Sequence, residues 1–136
     1  MNWEPPGTGV VGASTVEPAA EPSTAEALAE PEGDWLCAWC HTRVANERNR
    51  FSVEGKDEFT FSNPEGIPFR IITFGQTLGC RRSGTPTLEH TWFAGHAWSY
   101  CQCAQCGLHL GWFYAGSTDF VGLITDRIVR ALYLRN

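Results

Sequence analysis

Polar and apolar residues alternate through much of the chain, and this alternation predicts β-strands. Residues 58–62 read Glu-Phe-Thr-Phe-Ser, which is typical of a strand with one buried face. Residues 67–74 are rich in β-branched and aromatic side chains, which favours a strand buried on both faces. Between them, Asn63-Pro64-Glu65-Gly66 predicts a turn, because proline presets φ and glycine permits the reversal.

The second half of the chain predicts further strands and a short C-terminal element. Strands are expected at 97–101, 108–114 and 119–124, and a short helix or turn at 125–134. Turn-forming residues interrupt the apolar runs at intervals of roughly ten positions. This pattern predicts a mainly β fold, built as a small antiparallel domain.

The first 34 residues differ in composition from the rest of the 136-residue chain. They contain seven acidic residues and five of the eight prolines, and neither lysine nor arginine. Few of their side chains are large and apolar, so burial cannot offset an ordering cost of about 1–2 kcal/mol per residue. We therefore expect a disordered acidic tail at 1–34 and one folded domain at 35–136.

The charge of the predicted domain argues against binding to nucleic acid. The chain has a net charge of −5, but residues 35–136 hold ten bases against eight acids, with Lys56 as their single lysine. A surface that follows a phosphate backbone needs a denser basic stripe. No apolar stretch approaches 18 residues, and the N-terminus lacks the basic and apolar regions of a secretory signal. We therefore expect a cytoplasmic protein that does not interact with membranes.

Four of the six cysteines form two pairs with the spacing of metal-binding knuckles. The pairs are Cys37-Ala38-Trp39-Cys40 and Cys103-Ala104-Gln105-Cys106. Two intervening residues let one turn of backbone direct both sulfurs at one ion. Four thiolates favour Zn²⁺, and because they fill every coordination position we predict one structural zinc. The alternatives are disulfides or a thioredoxin-like redox pair. The absence of a secretory signal disfavours disulfides, and the presence of two such pairs disfavours a thioredoxin-like motif, which needs only one.

The other cysteines and three of the histidines are expected to have ordinary structural roles. Cys80 and Cys101 are predicted to pack in the interior. His41 follows the first knuckle and could replace a cysteine ligand, although four cysteines suffice. His96 and His109 are predicted to lie on the surface, in a turn and on a strand.

Three tryptophans lie close together in the sequence. Trp92, Trp98 and Trp112 fall within 21 residues, and on a strand at 108–114 Trp112 shares one face with Tyr114. Rings gathered in this way fill the core of many proteins. They also form cages that hold a cation or a flat polar ring between their faces. The pattern alone leaves both interpretations open.

These motifs together resemble the thalidomide-binding (CULT) domain of the cereblon family. The resemblance rests on the two cysteine pairs, the turn at 63–66, and three runs: His-Thr-Trp-Phe-Ala-Gly-His-Ala-Trp at 90–98, Leu-Gly-Trp-Phe-Tyr at 110–114 and Phe-Val-Gly-Leu-Ile at 120–124. It covers about residues 35–127. The length of the chain is similar to that of small single-domain bacterial cereblon-like proteins.

The resemblance implies a fold, a metal and a class of ligand. The fold is a β-tent, in which two antiparallel sheets meet at an angle and are pinned by one zinc. The ligands are cyclic imides: glutarimide, succinimide, thalidomide-type compounds, or the C-terminal cyclic imides of damaged proteins. The implied ligand-binding residues are Asn63, His90, Trp92, Trp98, Trp112 and Tyr114. The sequence has no counterpart of the family's ligase-adaptor surface, so ubiquitin-linked activity is not expected.

Two other functions compete with a non-catalytic module that binds imides. B-type methionine sulfoxide reductases share the tent-like fold and the four-cysteine zinc, and would use Cys80 or Cys101 as the catalytic cysteine. A reader of methylated ammonium groups would use the same tryptophans as a cation cage. Such a cage favours a neighbouring acid, and only Glu89 and Asp119 are near these tryptophans in the sequence. The sequence favours the imide-binding module.

Overall fold

The computed structural model describes residues 33–134. The predicted acidic tail therefore lies outside the described residues, apart from its last two positions, and so do the final two residues of the predicted domain. The first strand begins at Asp34, one residue before the predicted start of the domain. Within residues 33–134, no helix has the length and apolar character that a membrane crossing requires.

Two antiparallel sheets make up the fold, which confirms the predicted mainly β class. The smaller sheet has the strand order β2-β1-β9. Its strands are β1 (Asp34–Cys37), β2 (Arg43–Asn46) and β9 (Ile128–Arg130). The larger sheet has the order β3-β4-β8-β7-β6-β5. Its strands are β3 (Glu58–Ser62), β4 (Pro68–Phe74), β5 (Cys80–Thr87), β6 (Ala97–Cys103), β7 (His109–Ala115) and β8 (Asp119–Ile124).

The predicted strands are confirmed with small changes of boundary, whereas strands β1, β2, β5 and β9 were not predicted. Strand β4 is buried on both faces only from Ile71 onward, because residues 68–70 lie toward the exposed end of its pairing with β3. The predicted C-terminal helix or turn is partly wrong. Two short 3-10 helices, Thr125–Arg127 and Ala131–Leu134, flank strand β9, which pairs with β1.

The large sheet separates two apolar clusters, because side chains alternate between its faces. On β7, Phe113 packs in the cluster that also contains the buried cysteines. Tyr114 packs in a second cluster with Phe93 and Phe120, and Trp112 lies against that same cluster. Trp112 and Tyr114 therefore share a face, as the sequence predicted.

Two glycines bring β7 and β8 unusually close together. A Cβ placed on Gly111 would lie 1.9 Å from the carbonyl oxygen of Gly122, a backbone atom that cannot move aside. We expect Gly111→Ala to lower the free energy of unfolding by at least about 3 kcal/mol, because strands in the centre of the sheet would have to separate. Chemical denaturation measures this effect.

A matched substitution controls for the loss of a glycine. A Cβ on Gly75 would meet the Phe51 ring at 3.5 Å, which is ordinary van der Waals contact. Gly75→Ala should therefore change the free energy of unfolding by less than about 1 kcal/mol. Equal effects at the two positions would contradict the close approach at Gly111.

Candidate functional site

The four knuckle cysteines converge at one point. Their Sγ atoms all lie within 4.8 Å of one another. The Sγ–Sγ distance is 3.6 Å between Cys37 and Cys106, and 3.6 Å between Cys40 and Cys103. Thiolates placed about 2.3 Å from a tetrahedral Zn²⁺ are separated by about 3.8 Å. The cluster therefore has the ligand type and the dimensions to hold one metal ion.

Each knuckle is a tight turn at the end of a strand. The His41 N–H donates to the Cys37 carbonyl at 2.8 Å, and the Gly107 N–H donates to the Cys103 carbonyl at 2.9 Å. One knuckle follows β1 of the small sheet and the other follows β6 of the large sheet. A bound ion would therefore join the two sheets.

The thiols of the cluster differ in acidity before a metal binds. Burial raises the pKa of Cys37 to about 12. Hydrogen bonds with the side chain and backbone of Thr42 lower the pKa of Cys40 to about 6. Because metal ligands must be thiolates, the Cys37 proton has to be released when an ion binds.

His41 has a conformational role in its knuckle. Its φ angle is 64°, and Gly107 at the equivalent place in the second knuckle has a φ of 82°. Both residues adopt the left-handed conformation that the turn needs, and the His41 side chain is exposed. The possibility that His41 replaces a cysteine finds no support in this geometry, since the four sulfurs already surround one point.

Replacing His41 with glycine tests that role. We expect His41→Gly to raise the free energy of unfolding by up to about 1 kcal/mol, because glycine adopts a positive φ without a steric penalty. The absorption spectrum of the Co²⁺-substituted protein should keep the form of an all-thiolate site. A spectral change or a weaker metal affinity would instead identify His41 as a ligand.

Cys80 and Cys101 pack in the interior, as predicted. Cys101 is completely buried in the first apolar cluster, and burial raises the pKa of its thiol well above the ordinary value. Cys80 packs against the same cluster, with its Sγ 3.8 Å from the Val44 carbonyl oxygen. Neither residue is among those that line the cleft described next.

A cleft of about 360 Å³ opens on the other face of the large sheet. The Asn63–Gly66 turn, the loop at 88–96 and strands β4, β6 and β7 surround it. All six residues that the resemblance implied as ligand-binding line this cleft: Asn63, His90, Trp92, Trp98, Trp112 and Tyr114. The sequence did not single out five further lining residues: Pro64, Glu65, Phe69, Tyr100 and His109.

Five aromatic rings form a continuous wall along the cleft. Trp92 contacts Trp112 with ring centroids 4.8 Å apart and an interplanar angle of 75°. The contacts then run from Trp112 to His109 at 5.0 Å, from His109 to Tyr100 at 5.3 Å, and from Tyr100 to Trp98 at 5.2 Å. Each contact is edge-to-face, so the rings form a curved surface around the open space.

The indole N–H groups of two tryptophans are bonded to the backbone. Trp92 Nε1 donates to the Ser62 carbonyl at 3.2 Å, and Trp98 Nε1 donates to the Glu89 carbonyl at 2.8 Å. These bonds fix the orientation of both rings and satisfy their single polar group. The two indoles therefore present apolar surface to the cleft.

Unpaired backbone groups lie next to this apolar wall. His90 has a φ of 60°, a left-handed conformation that is uncommon outside glycine and that asparagine, aspartate and histidine adopt more often than other residues. Among the described residues, neither the His90 carbonyl nor the Trp92 N–H is hydrogen-bonded to another group of the protein. The site therefore offers one backbone acceptor and one backbone donor two residues apart.

Asn63 closes the turn that covers one side of the cleft. Its Oδ1 accepts hydrogen bonds from the Glu65 N–H at 3.0 Å and from the Ile67 N–H at 2.9 Å. The side-chain oxygen is thus occupied in holding the turn. The proximity of Glu65 to the cleft follows from this closed conformation.

His109 was predicted to lie on the open surface, and this prediction is wrong. The structure places it in the wall of the cleft. Its Nε2 lies 2.9 Å from the Gly111 carbonyl, and burial lowers the pKa of the imidazole. Nearby Arg127 disfavours the charged form as well. His96 is also less exposed than predicted, since its ring packs 5.3 Å from that of Phe120.

Comparison with known proteins identifies several vertebrate relatives, although no protein-family model matches the chain. Cereblon from Gallus gallus is 37% identical over 83 residues, covering 60% of this chain and 19% of that protein. Cereblon from Danio rerio is 28% identical over 81 residues, covering 58% of this chain and 19% of that protein. Cereblon from Xenopus tropicalis is 36% identical over 52 residues, covering 38% of this chain and 12% of that protein. The chain thus spans less than a fifth of the length of these relatives.

Proposed function

We propose that this chain, which is similar to part of cereblon, is a non-catalytic binding module for cyclic imides, including the C-terminal cyclic imides of damaged proteins. The observation that carries the proposal is the cleft itself. Three tryptophans from separate segments line the same open space. Two of the lining residues, His90 and Trp92, also carry a backbone carbonyl and a backbone N–H that have no hydrogen-bond partner among residues 33–134. No ligase-linked activity is part of the proposal.

The polar groups of an imide match those of the cleft. An imide ring has one N–H donor between two carbonyl acceptors. The His90 carbonyl can accept from the imide N–H, and the Trp92 N–H can donate to one imide carbonyl. The His90 imidazole can donate to the other carbonyl, because its side chain is 61% exposed and its nearest charged partner, Glu89, is 3.9 Å away.

The aromatic wall explains why a closed ring would be preferred to an open one. Trp92, Trp98 and Trp112 would form a cage that removes water from the CH₂ edges of the ring. Hydrolysis of the imide creates a carboxylate, which the apolar wall cannot solvate. Glu65, which lines the same cleft, would also repel the new negative charge.

In this proposal the metal is a structural zinc. Cys37, Cys40, Cys103 and Cys106 would hold the ion, and all four coordination positions would be filled by thiolates. The ion would fix the knuckle after β6 relative to the small sheet. Strand β6 carries Trp98, so the zinc would support the cleft through the sheet that builds it.

Calorimetry with closed and opened rings tests the proposed function. We expect glutarimide and succinimide to bind with micromolar dissociation constants, because micromolar binding already needs about 1 kcal/mol from each of about eight heavy atoms, and the limit for very small ligands is about 1.5 kcal/mol per atom. The ring-opened acids should bind at least about 100-fold more weakly. Equal affinity for the closed and opened forms would contradict the proposal.

A reader of methylated ammonium groups is the second candidate, and one observation favours it. The sequence placed only Glu89 and Asp119 near the tryptophans, whereas the structure also brings Glu65 to the cleft wall. An aromatic cage with a carboxylate can hold a cation. Titration with a trimethyl-lysine peptide against glutarimide decides between the two ligands, and we expect only glutarimide to bind in the micromolar range.

The positions of the remaining cysteines disfavour a reductase. Catalysis would need a reactive thiolate at the cleft, but Cys101 is buried with a raised pKa and neither Cys80 nor Cys101 lines the cleft. We expect a Cys80→Ser, Cys101→Ser double variant to bind imides like the parent protein. Methionine sulfoxide reduction that depends on these two thiols would overturn the assignment as a non-catalytic module.

A further inference from the structure

We infer that the cleft selects imides whose attached chain carries a positive charge next to the ring, and that Glu65 is the residue that selects them. This inference rests on the proposed function, because it concerns what is attached to the imide. It goes beyond that function by naming a class of peptide: a C-terminal cyclic imide preceded by lysine or arginine.

The size of the cleft indicates that its occupant extends beyond the imide ring. A dry cavity of about 150 Å³ is sufficient for a six-membered ring such as benzene. The cleft has a volume of about 360 Å³, which is more than twice as large. A C-terminal cyclic imide is attached to the preceding residue through an amide, and the remaining space can hold that amide and the start of the preceding residue.

Two carboxylates, those of Glu65 and Glu89, lie near the open side of the cleft. Glu65 lines the cleft from an exposed turn, and its carboxylate has one weak contact, with the Asn63 amide nitrogen at 3.5 Å. Glu89 immediately precedes His90, its side chain is 76% exposed, and its backbone carbonyl holds Trp98. A cation on the ligand would be attracted by both groups, and an anion would be repelled.

Two arginines on neighbouring strands, Arg70 and Arg82, face away from the cleft. Arg81 alternates with Arg82 on β5 and so lies on the cleft face of the sheet, but it does not line the cleft, and its Nη2 is 4.0 Å from a Cβ placed on Gly107 at the second knuckle. Arg70 follows the lining residue Phe69, so it points to the opposite face of β4, and it pairs with Glu58 at 3.1 Å. Arg82 donates to Ser99 Oγ at 3.0 Å and lies over the Phe113 ring, on the other face of the sheet. Within residues 33–134, no lysine or arginine lines the cleft.

The half-buried histidine of the cleft, His109, does not cancel this negative charge. Burial and the nearby Arg127 lower the pKa of His109, which keeps that ring neutral at pH 7. The His90 ring lies beside Glu89 and, in the proposed function, uses its N–H on the imide. The sign of the charge at the opening is therefore set by Glu65 and Glu89.

The test uses three synthetic peptides that differ only in the residue before a C-terminal glutarimide: lysine, alanine or glutamate. Wild-type protein at low salt should bind the lysine peptide about fivefold more tightly than the alanine peptide, and the glutamate peptide more weakly than either. The ratio of the affinities for any two of these peptides should approach one at about 1 M salt, because an exposed charge pair is then screened. Free glutarimide, titrated in parallel, reports the proposed function.

Three variants assign the effect to Glu65. Glu65→Gln should reduce the ratio of the affinity for the lysine peptide to the affinity for the glutamate peptide, and Glu65→Lys should invert this ratio. Asp126→Asn removes the same charge from an exposed residue of the Thr125–Arg127 helix, which does not line the cleft, and should leave the ratio unchanged.

Each result separates this inference from the function on which it rests. If wild-type protein binds glutarimide but binds the three peptides equally, the charge selection is wrong and the imide-binding function stands. If the ratio survives in both Glu65 variants, Glu65 does not select the ligand and the inference is overturned. If glutarimide fails to bind, the proposed function is wrong and this inference falls with it.

Discussion

Removing the metal is expected to unfold the domain. The four cysteines come from the knuckle after β1 and the knuckle after β6, so an ion held between them would connect the two sheets. Binding of a structural zinc can contribute on the order of 10 kcal/mol to apparent folding stability. This contribution is comparable to the entire stability of a typical domain, about 5–15 kcal/mol. Circular dichroism during titration with a chelator at neutral pH should therefore show loss of the native β signal, and added Zn²⁺ should restore it.

Single substitutions separate the role of the metal from that of cysteine packing. Cys40 and Cys80 are both half-buried, but only Cys40 belongs to the cluster. Cys40→Ser should abolish high-affinity zinc binding and unfold the protein, whereas Cys80→Ser should cost about 1–2 kcal/mol and keep the metal. A Cys40→Ser variant that is as stable as the parent protein would show that the cluster does not hold the fold together.

Removing one tryptophan of the cleft is expected to abolish imide binding. Trp92 and Trp112 meet edge-to-face at 4.8 Å, so truncating either opens the wall that would exclude water from the ring. We expect Trp92→Ala and Trp112→Ala each to raise the dissociation constant for glutarimide at least about 100-fold, as removal of a central aromatic anchor does in binding sites generally. Calorimetry measures the loss directly.

Trp39→Ala is the matched control for these variants. Trp39 lies in the first cysteine knuckle, is 79% exposed, and does not line the cleft. Its removal should change the affinity for glutarimide less than about twofold. The fold of the two cleft variants should persist, because the cysteine cluster and the first apolar cluster do not contain Trp92 or Trp112. Near-normal affinity in both folded variants would show that these tryptophans only fill the core.

Local patterns were sufficient for most of the large sheet. Strands such as β3 and β8 alternate or concentrate apolar residues strongly, and their observed bounds match the predicted ones. Strand β5 was not predicted, because Gly84 and Pro86 within it resemble loop residues and its pairing with β6 is irregular between Ser83 and Thr87. Strand β9 has three residues and depends on its partner β1, which no local pattern reveals.

The cysteine cluster was predictable because both spacings are local and chemically specific. The contacts of the cleft were harder to predict, since they depend on strand register. The pairing of β6 with β7 is irregular between Cys101 and Gln102, where Gln102 opposes His109 and Leu110 is passed over. Such a bulge reverses the alternation of side chains. Leu110 therefore enters the first apolar cluster, and His109 comes to the same face as Trp112.

The proposed function requires three indoles from separate segments to enclose one small uncharged ring. Nuclear magnetic resonance of ¹⁵N-labelled indole groups during titration with glutarimide tests it most directly. We predict saturable shifts of the Nε1–H signals of Trp92, Trp98 and Trp112, all with one dissociation constant, while the signals of the other three tryptophans, Trp3, Trp35 and Trp39, stay in place. Shifts spread equally over all six signals, or no shift at millimolar glutarimide, would contradict the proposed function.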